Sequence, residues 1–107
     1  MKLRQILKLG AALAVCLNLA SAKSLEQIKK DGVITIATEG VYSPFSFHNE
    51  KDELMGYDVE IARAVADKLG LKPKFIEASW DAMLAAFDAG KADTVFNQVS
   101  ITEERKK

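Results

Sequence analysis

Beyond the first 22 residues, apolar positions follow two periods. Val33-Ile34-Thr35-Ile36-Ala37 is β-branched and almost wholly apolar, the pattern of a strand covered on both faces. Phe75 and Ile76 centre a second strand over Pro73–Ala78, and Thr94-Val95-Phe96 make a third. Helical spacing fills the intervals. Ile61, Ala62, Val65, Ala66 and Leu69 predict a helix over Asp58–Leu69, stopped by Gly70. Met83, Leu84 and Phe87 predict another over Asp81–Ala89, with Asp81 as its N-cap and Gly90 as its stop. Ahead of the first strand, Ser24 and Gln27 have capping-box spacing, so a short helix runs from Ser24 to Asp31 and ends at Gly32. Glu39–Pro44 reads as a loop, Phe45 to Phe47 as a short extended piece, and Asn49–Glu53 as a charged turn. After the third strand a polar elbow, Asn97 to Lys107, contains a helix start capped by Thr102 with Glu103 and Glu104 in its first turn. Strands alternating with helices predict an α/β fold with a parallel sheet and right-handed crossovers.

The first 22 residues carry a different pattern. Lys2, Arg4 and Lys8 precede an apolar stretch, Leu9 to Leu17, that is too short to span a bilayer, and Ala20-Ser21-Ala22 is a small-x-small cleavage site. This predicts a secretory signal peptide cleaved after Ala22. Val15 before Cys16 argues against a lipoprotein cysteine, because that position calls for a smaller residue. Cleavage leaves 12 Lys+Arg against 15 Asp+Glu, a net charge of −3, with no basic patch for nucleic acid. Cys16 is the chain's one cysteine, so residues 23–107 hold no disulfide. Their length suits one small core.

In parallel sheets, ligands bind beyond the carboxyl ends of the strands. The segments there are Glu39–Pro44, Ser79–Asp81 and Gln98–Arg105, and the polar and aromatic residues foreign to a core fall in these three. Arg105 offers a planar fork that fits a carboxylate, and Ser100 a hydroxyl beside it. As a residue of a first helical turn, Arg105 opposes the dipole, which calls for a reason beyond solvation. Tyr42 and Trp80 suit either the walls of a site or ordinary packing. Glu39 can meet an amine or stand in water, Phe45 and Phe47 suit packing, and His48 reads as exposed. No Gly-rich phosphate loop, HExxH sequence or paired Cys/His spacing is present, so neither cofactor nor metal is implied.

Four stretches in order carry a resemblance: Val33 to Phe47, Gly56-Tyr57-Asp58-Val59-Glu60-Ile61-Ala62, Trp80-Asp81-Ala82-Met83-Leu84, and Ser100-Ile101-Thr102-Glu103-Glu104-Arg105. Together they resemble the polar amino-acid periplasmic binding proteins of ABC importers, solute-binding family 3. Asn97-Gln98-Val99, Glu39-Gly40 and Trp80-Asp81 are most similar to the cystine-binding members. The resemblance implies a periplasmic, monomeric protein that takes a polar L-amino acid, cystine or cysteine first, and delivers it to ABC permease subunits in the inner membrane. It implies that Arg105 clamps the ligand α-carboxylate, Ser100 shares it, Tyr42 and Trp80 wall the cleft, and Glu39 senses the ligand side chain. Gln98 stands where a small residue is common. The implied architecture is two lobes closing on the ligand. Residues 23–107 would form an incomplete first lobe, with strand order 2-1-3, lacking the hinge and the second lobe. That lobe would supply an acid for the ligand ammonium, so residues 23–107 alone are expected to bind weakly or not at all. Two other classes share the likeness: a periplasmic enzyme similar to cyclohexadienyl dehydratase, and a sensor input domain.

Overall fold

A computed structural model describes residues 23–106. The predicted signal peptide, with Cys16 and the cleavage site, lies outside them. Helix α1 (Leu25–Asp31) is followed by β1 (Val33–Thr38), β2 (Val41–Tyr42), β3 (Ser46–His48), β4 (Leu54–Met55), α2 (Tyr57–Lys68), β5 (Lys72–Glu77), α3 (Trp80–Asp88) and β6 (Thr94–Val95). Among the described residues no helix is long and apolar enough to cross a membrane.

The main sheet is parallel, with β1 between β5 and β6, the expected 2-1-3 order of the three core strands. Val33 lies opposite Lys72 and Thr38 opposite Glu77, while Ile36 faces Thr94. The alternation along β1 divides the core. Ile34 and Ile36 pack with Ile28 of α1, Ala62 and Ala66 of α2, and Leu71. Ala37 points to the other face, where it meets Met83 of α3 and Ala92. Helices therefore cover both faces, as the almost wholly apolar run of β1 requires. Ile36 and Met83 are almost wholly buried, each stabilising the fold by about 1.5–3 kcal/mol. Pro73 has no N–H to donate, and β5 tolerates it as an edge strand of this sheet. Asp93 extends the ladder beyond β6: its carboxylate accepts from the Thr35 N–H at 2.8 Å, and its own N–H donates to the Thr35 carbonyl at 2.9 Å.

Helix boundaries follow local chemistry. Ser24 and Gln27 form the expected capping box, and Gly32 closes α1 at φ 75°. The expected N-cap role of Asp81 is not what forms. Helix α3 starts one residue earlier, Ser79 occupies the cap position, and Asp81 sits in the first turn, where its charge meets the helix dipole. Helix α2 likewise begins at Tyr57, and Gly56 precedes it without a side-chain cap. The Pro44 and Phe45 carbonyls take the place of a cap, accepting from the N–H groups of Tyr57 and Asp58 at 3.0 and 2.9 Å.

A second, antiparallel sheet, β2-β3-β4, occupies the stretch read as loop, extended piece and turn. Its strands are two or three residues long, too short for a period to register. Asn49 makes the turn between β3 and β4, its side-chain oxygen accepting from the N–H groups of Lys51 and Glu53. His48 is not simply exposed. Nε2 bonds to Glu77 at the end of β5, and Nδ1 lies 3.3 Å from the Asp52 carboxylate, so the imidazole ties the small sheet to the large one. The Glu77 hydrogen bond, then the Asp52 carbonyl, raise the His48 pKa above 6.5. A group with a raised folded pKa stabilises fully below its unfolded value and loses that contribution as pH rises through the folded one. The wild-type advantage over His48→Gln in urea unfolding is therefore expected to be larger at pH 5.5 than at pH 8.5. An equal advantage at both would show the link to be uncharged.

Candidate functional site

The carboxyl ends of β1, β5 and β6 meet at one rim, and a chain of buried hydroxyls and amides shapes it. Asn97, at the end of β6, is 3% exposed. Its Oδ1 accepts from the Thr38 hydroxyl at 3.1 Å and from the Glu39 N–H at 2.9 Å. With the Thr38 proton so engaged, the 2.6 Å contact to Ser46 is a bond donated by Ser46, whose Oγ accepts in turn from the Gly40 N–H at 2.9 Å. Three residues, Thr38 of β1, Ser46 of β3 and Asn97 of the elbow, thus fix the loop that carries Glu39. Sequence reasoning missed Thr38, Ser46 and Asn97 as site-shaping residues. Their only signal is polarity at the boundary of a strand, and burial is what gives it meaning.

The elbow after β6 supplies the cation. Thr102 caps a single turn rather than a defined helix: its Oγ1 accepts from the Arg105 N–H at 3.1 Å and its carbonyl from Lys106 at 3.2 Å. This turn places the Arg105 guanidinium over the Trp80 ring, 5.7 Å from its centroid, with Nη1 donating to the Ser100 carbonyl at 3.1 Å. The remaining guanidinium donors keep the fork geometry that fits a carboxylate. Arg105 and Ser100 are exposed and Trp80 is half-buried, so the group is reachable from solvent. Beside it, a groove lined by Leu84, Phe87, Val95 and Val99 offers an apolar surface.

Among the residues selected from the sequence, Arg105, Ser100 and Trp80 come into contact. Glu39 is half-buried and joined to the same elbow through Asn97. Gln98 stands at φ 55° with its side-chain amide donating to Asp58 Oδ1 at 2.6 Å. Tyr42 is set apart from these contacts. It belongs to β2, and its ring lies 5.1 Å from that of Phe45, a packing contact that leaves it 42% exposed. Among the described residues no cluster of His, Cys, Asp and Glu could hold a metal ion.

Comparison with known proteins agrees with this fold. The L-cystine solute receptor of Neisseria gonorrhoeae, in its unliganded open conformation, is 50% identical with a TM-score of 0.72, over 78% of this chain and 37% of that one. The arginine-bound form of domain 1 of TmArgBP, from T. maritima, is 29% identical with a TM-score of 0.74, over 78% of this chain and 66% of that one. Cyclohexadienyl dehydratase of Pseudomonas aeruginosa is 33% identical over 103 residues, 96% of this chain and 38% of the enzyme. The chain spans about a third of the length of the curated amino-acid- and L-cystine-binding relatives it matches. The model of the bacterial extracellular solute-binding proteins, family 3, matches residues 34–107, and the chain belongs to that family.

Proposed function

We propose that this chain binds a polar L-amino acid, cystine or cysteine foremost, in the periplasm and serves as the first lobe of a two-lobe protein that delivers it to the permease of an ABC importer. The observation that carries this reading is the Arg105–Ser100–Trp80 group at the sheet rim. A free amino acid always presents a carboxylate, and an exposed guanidinium over an indole, with a serine at its side, suits one. In this reading Glu39 meets an amine of the ligand, and Tyr42 joins the cleft wall when ligand is bound. A second lobe would add an acid for the ligand ammonium and exclude water.

The isolated lobe is proposed to bind weakly rather than not at all, since domain 1 of TmArgBP carries its arginine without a second lobe. NMR titration of residues 23–107 with L-cystine, L-glutamine and L-arginine tests this. Shifts confined to the elbow, Trp80 and the Glu39 loop are the expected result, largest for cystine. No saturable shift with any of the three would overturn the reading. The relation to cyclohexadienyl dehydratase favours a second reading, an enzyme of the same fold. Turnover of arogenate or prephenate by the whole protein would establish it.

A further inference from the structure

We propose that Asp58 is a positioning residue for the amino-acid site, holding the elbow after β6 in its ligand-ready turn through the side chain of Gln98. The inference rests on the reading of that elbow as the carboxylate-binding segment.

Asp58 is the second residue of α2 and only 6% exposed. Its Oδ1 accepts from Gln98 Nε2 at 2.6 Å, and its Oδ2 is buried with no partner among the described residues. A buried carboxylate with one oxygen unpaired costs folding free energy, so its position needs a return elsewhere. The amino end of α2 offsets part of that cost through its dipole. The rest of the return lies at Gln98. Its φ of 55° is in the left-handed region, which a residue with a side chain adopts only when held there. A charged acceptor makes the shorter and stronger bond that holding requires.

Asn97 and Gln98 are pinned to different elements, Asn97 to the loop after β1 and Gln98 to α2. Ser100 and Arg105 follow and, among the described residues, bond only within the elbow and to Trp80. Their direction is therefore set by the turn at Gln98. Asp58 reaches the ligand through that turn and not by contact. Gln98 then contributes as the brace of the site.

The test uses the full chain and four variants: Asp58→Ala, Asp58→Asn, Gln98→Gly, and Asp58→Ala combined with Gln98→Gly. Asp58→Ala is expected to weaken L-cystine binding about tenfold and to speed amide exchange over residues 98–105 more than in α2. Asp58→Asn keeps an acceptor without the charge and is expected to recover only part of the affinity. Glycine adopts the left-handed turn freely, so Gln98→Gly in the Asp58→Ala background also recovers part of it. A merely structural Asp58 would lower the melting temperature and leave the affinity of the folded chain unchanged. Binding within twofold of wild type for Asp58→Ala, or no recovery in the double variant, overturns the proposal. Should the wild type bind no amino acid, the site reading fails, and amide exchange alone decides whether Asp58 holds the elbow: unchanged exchange over residues 98–105 in Asp58→Ala overturns it.

Discussion

Arg105→Ala is expected to weaken amino-acid binding about 100-fold, equivalent to ~3 kcal/mol, while leaving the fold intact. The size follows from what the guanidinium does in each state. Without ligand it is exposed, lies over the Trp80 ring and, among the described residues, makes one hydrogen bond, to the Ser100 carbonyl. Truncating an exposed side chain of that kind changes stability by about 0.5 kcal/mol or less. In the proposed complex it faces a ligand carboxylate, and removing it leaves that charge without its partner. Arg105→Lys should restore little, since an ammonium cannot grip two oxygens in one plane or stack on an indole in the same way. Trp80→Ala should cost less than Arg105→Ala, because it removes the platform and keeps the charge. Titration calorimetry with L-cystine measures all three. Binding of Arg105→Ala within threefold of wild type would remove the residue from the site and leave the pocket without its anion receptor.

What could be read from the sequence divides along a physical line. The parallel sheet was visible because β1 packs on both faces and its run is β-branched and almost wholly apolar. The helices were visible because Ile61 to Leu69 and Met83 to Phe87 repeat at helical spacing, with glycines as stops. The small sheet was not, since two-residue strands such as Val41–Tyr42 carry no period and form through turn geometry. Of the site, Arg105, Ser100 and Trp80 were legible as polar or aromatic residues just past strand ends. Asn97, Thr38, Ser46 and Asp58 were not, because their importance comes from burial, and an isolated polar letter does not disclose burial. The His48–Glu77 bond joins residues 29 positions apart and has no local signature at all.

Gly56 shows how much of the site depends on a residue that touches no ligand, and Gly56→Ala is expected to destabilise the chain by about 3 kcal/mol or more. Its backbone stands at φ 123°, ψ 172°, a region essentially closed to residues with a side chain. A methyl group there would lie 2.5 Å from the Phe45 carbonyl oxygen and 2.9 Å from that of Pro44. Those two carbonyls accept the first N–H groups of α2, so relieving the clash means breaking the bonds that dock the helix. Both contacts are backbone atoms and cannot swing aside as a side chain would. Gly32→Ala is the internal standard. Gly32 also has a positive φ, 75°, but nothing lies within 4 Å of its added carbon, so that variant should lose only about 1 kcal/mol. Urea midpoints of the two variants separate backbone strain from steric contact. The same displacement moves Asp58, two residues on, so Gly56→Ala should also loosen the elbow at Gln98. Equal losses for the two variants would mean that the Phe45 segment yields to the methyl group, and that α2 is docked by its apolar face alone.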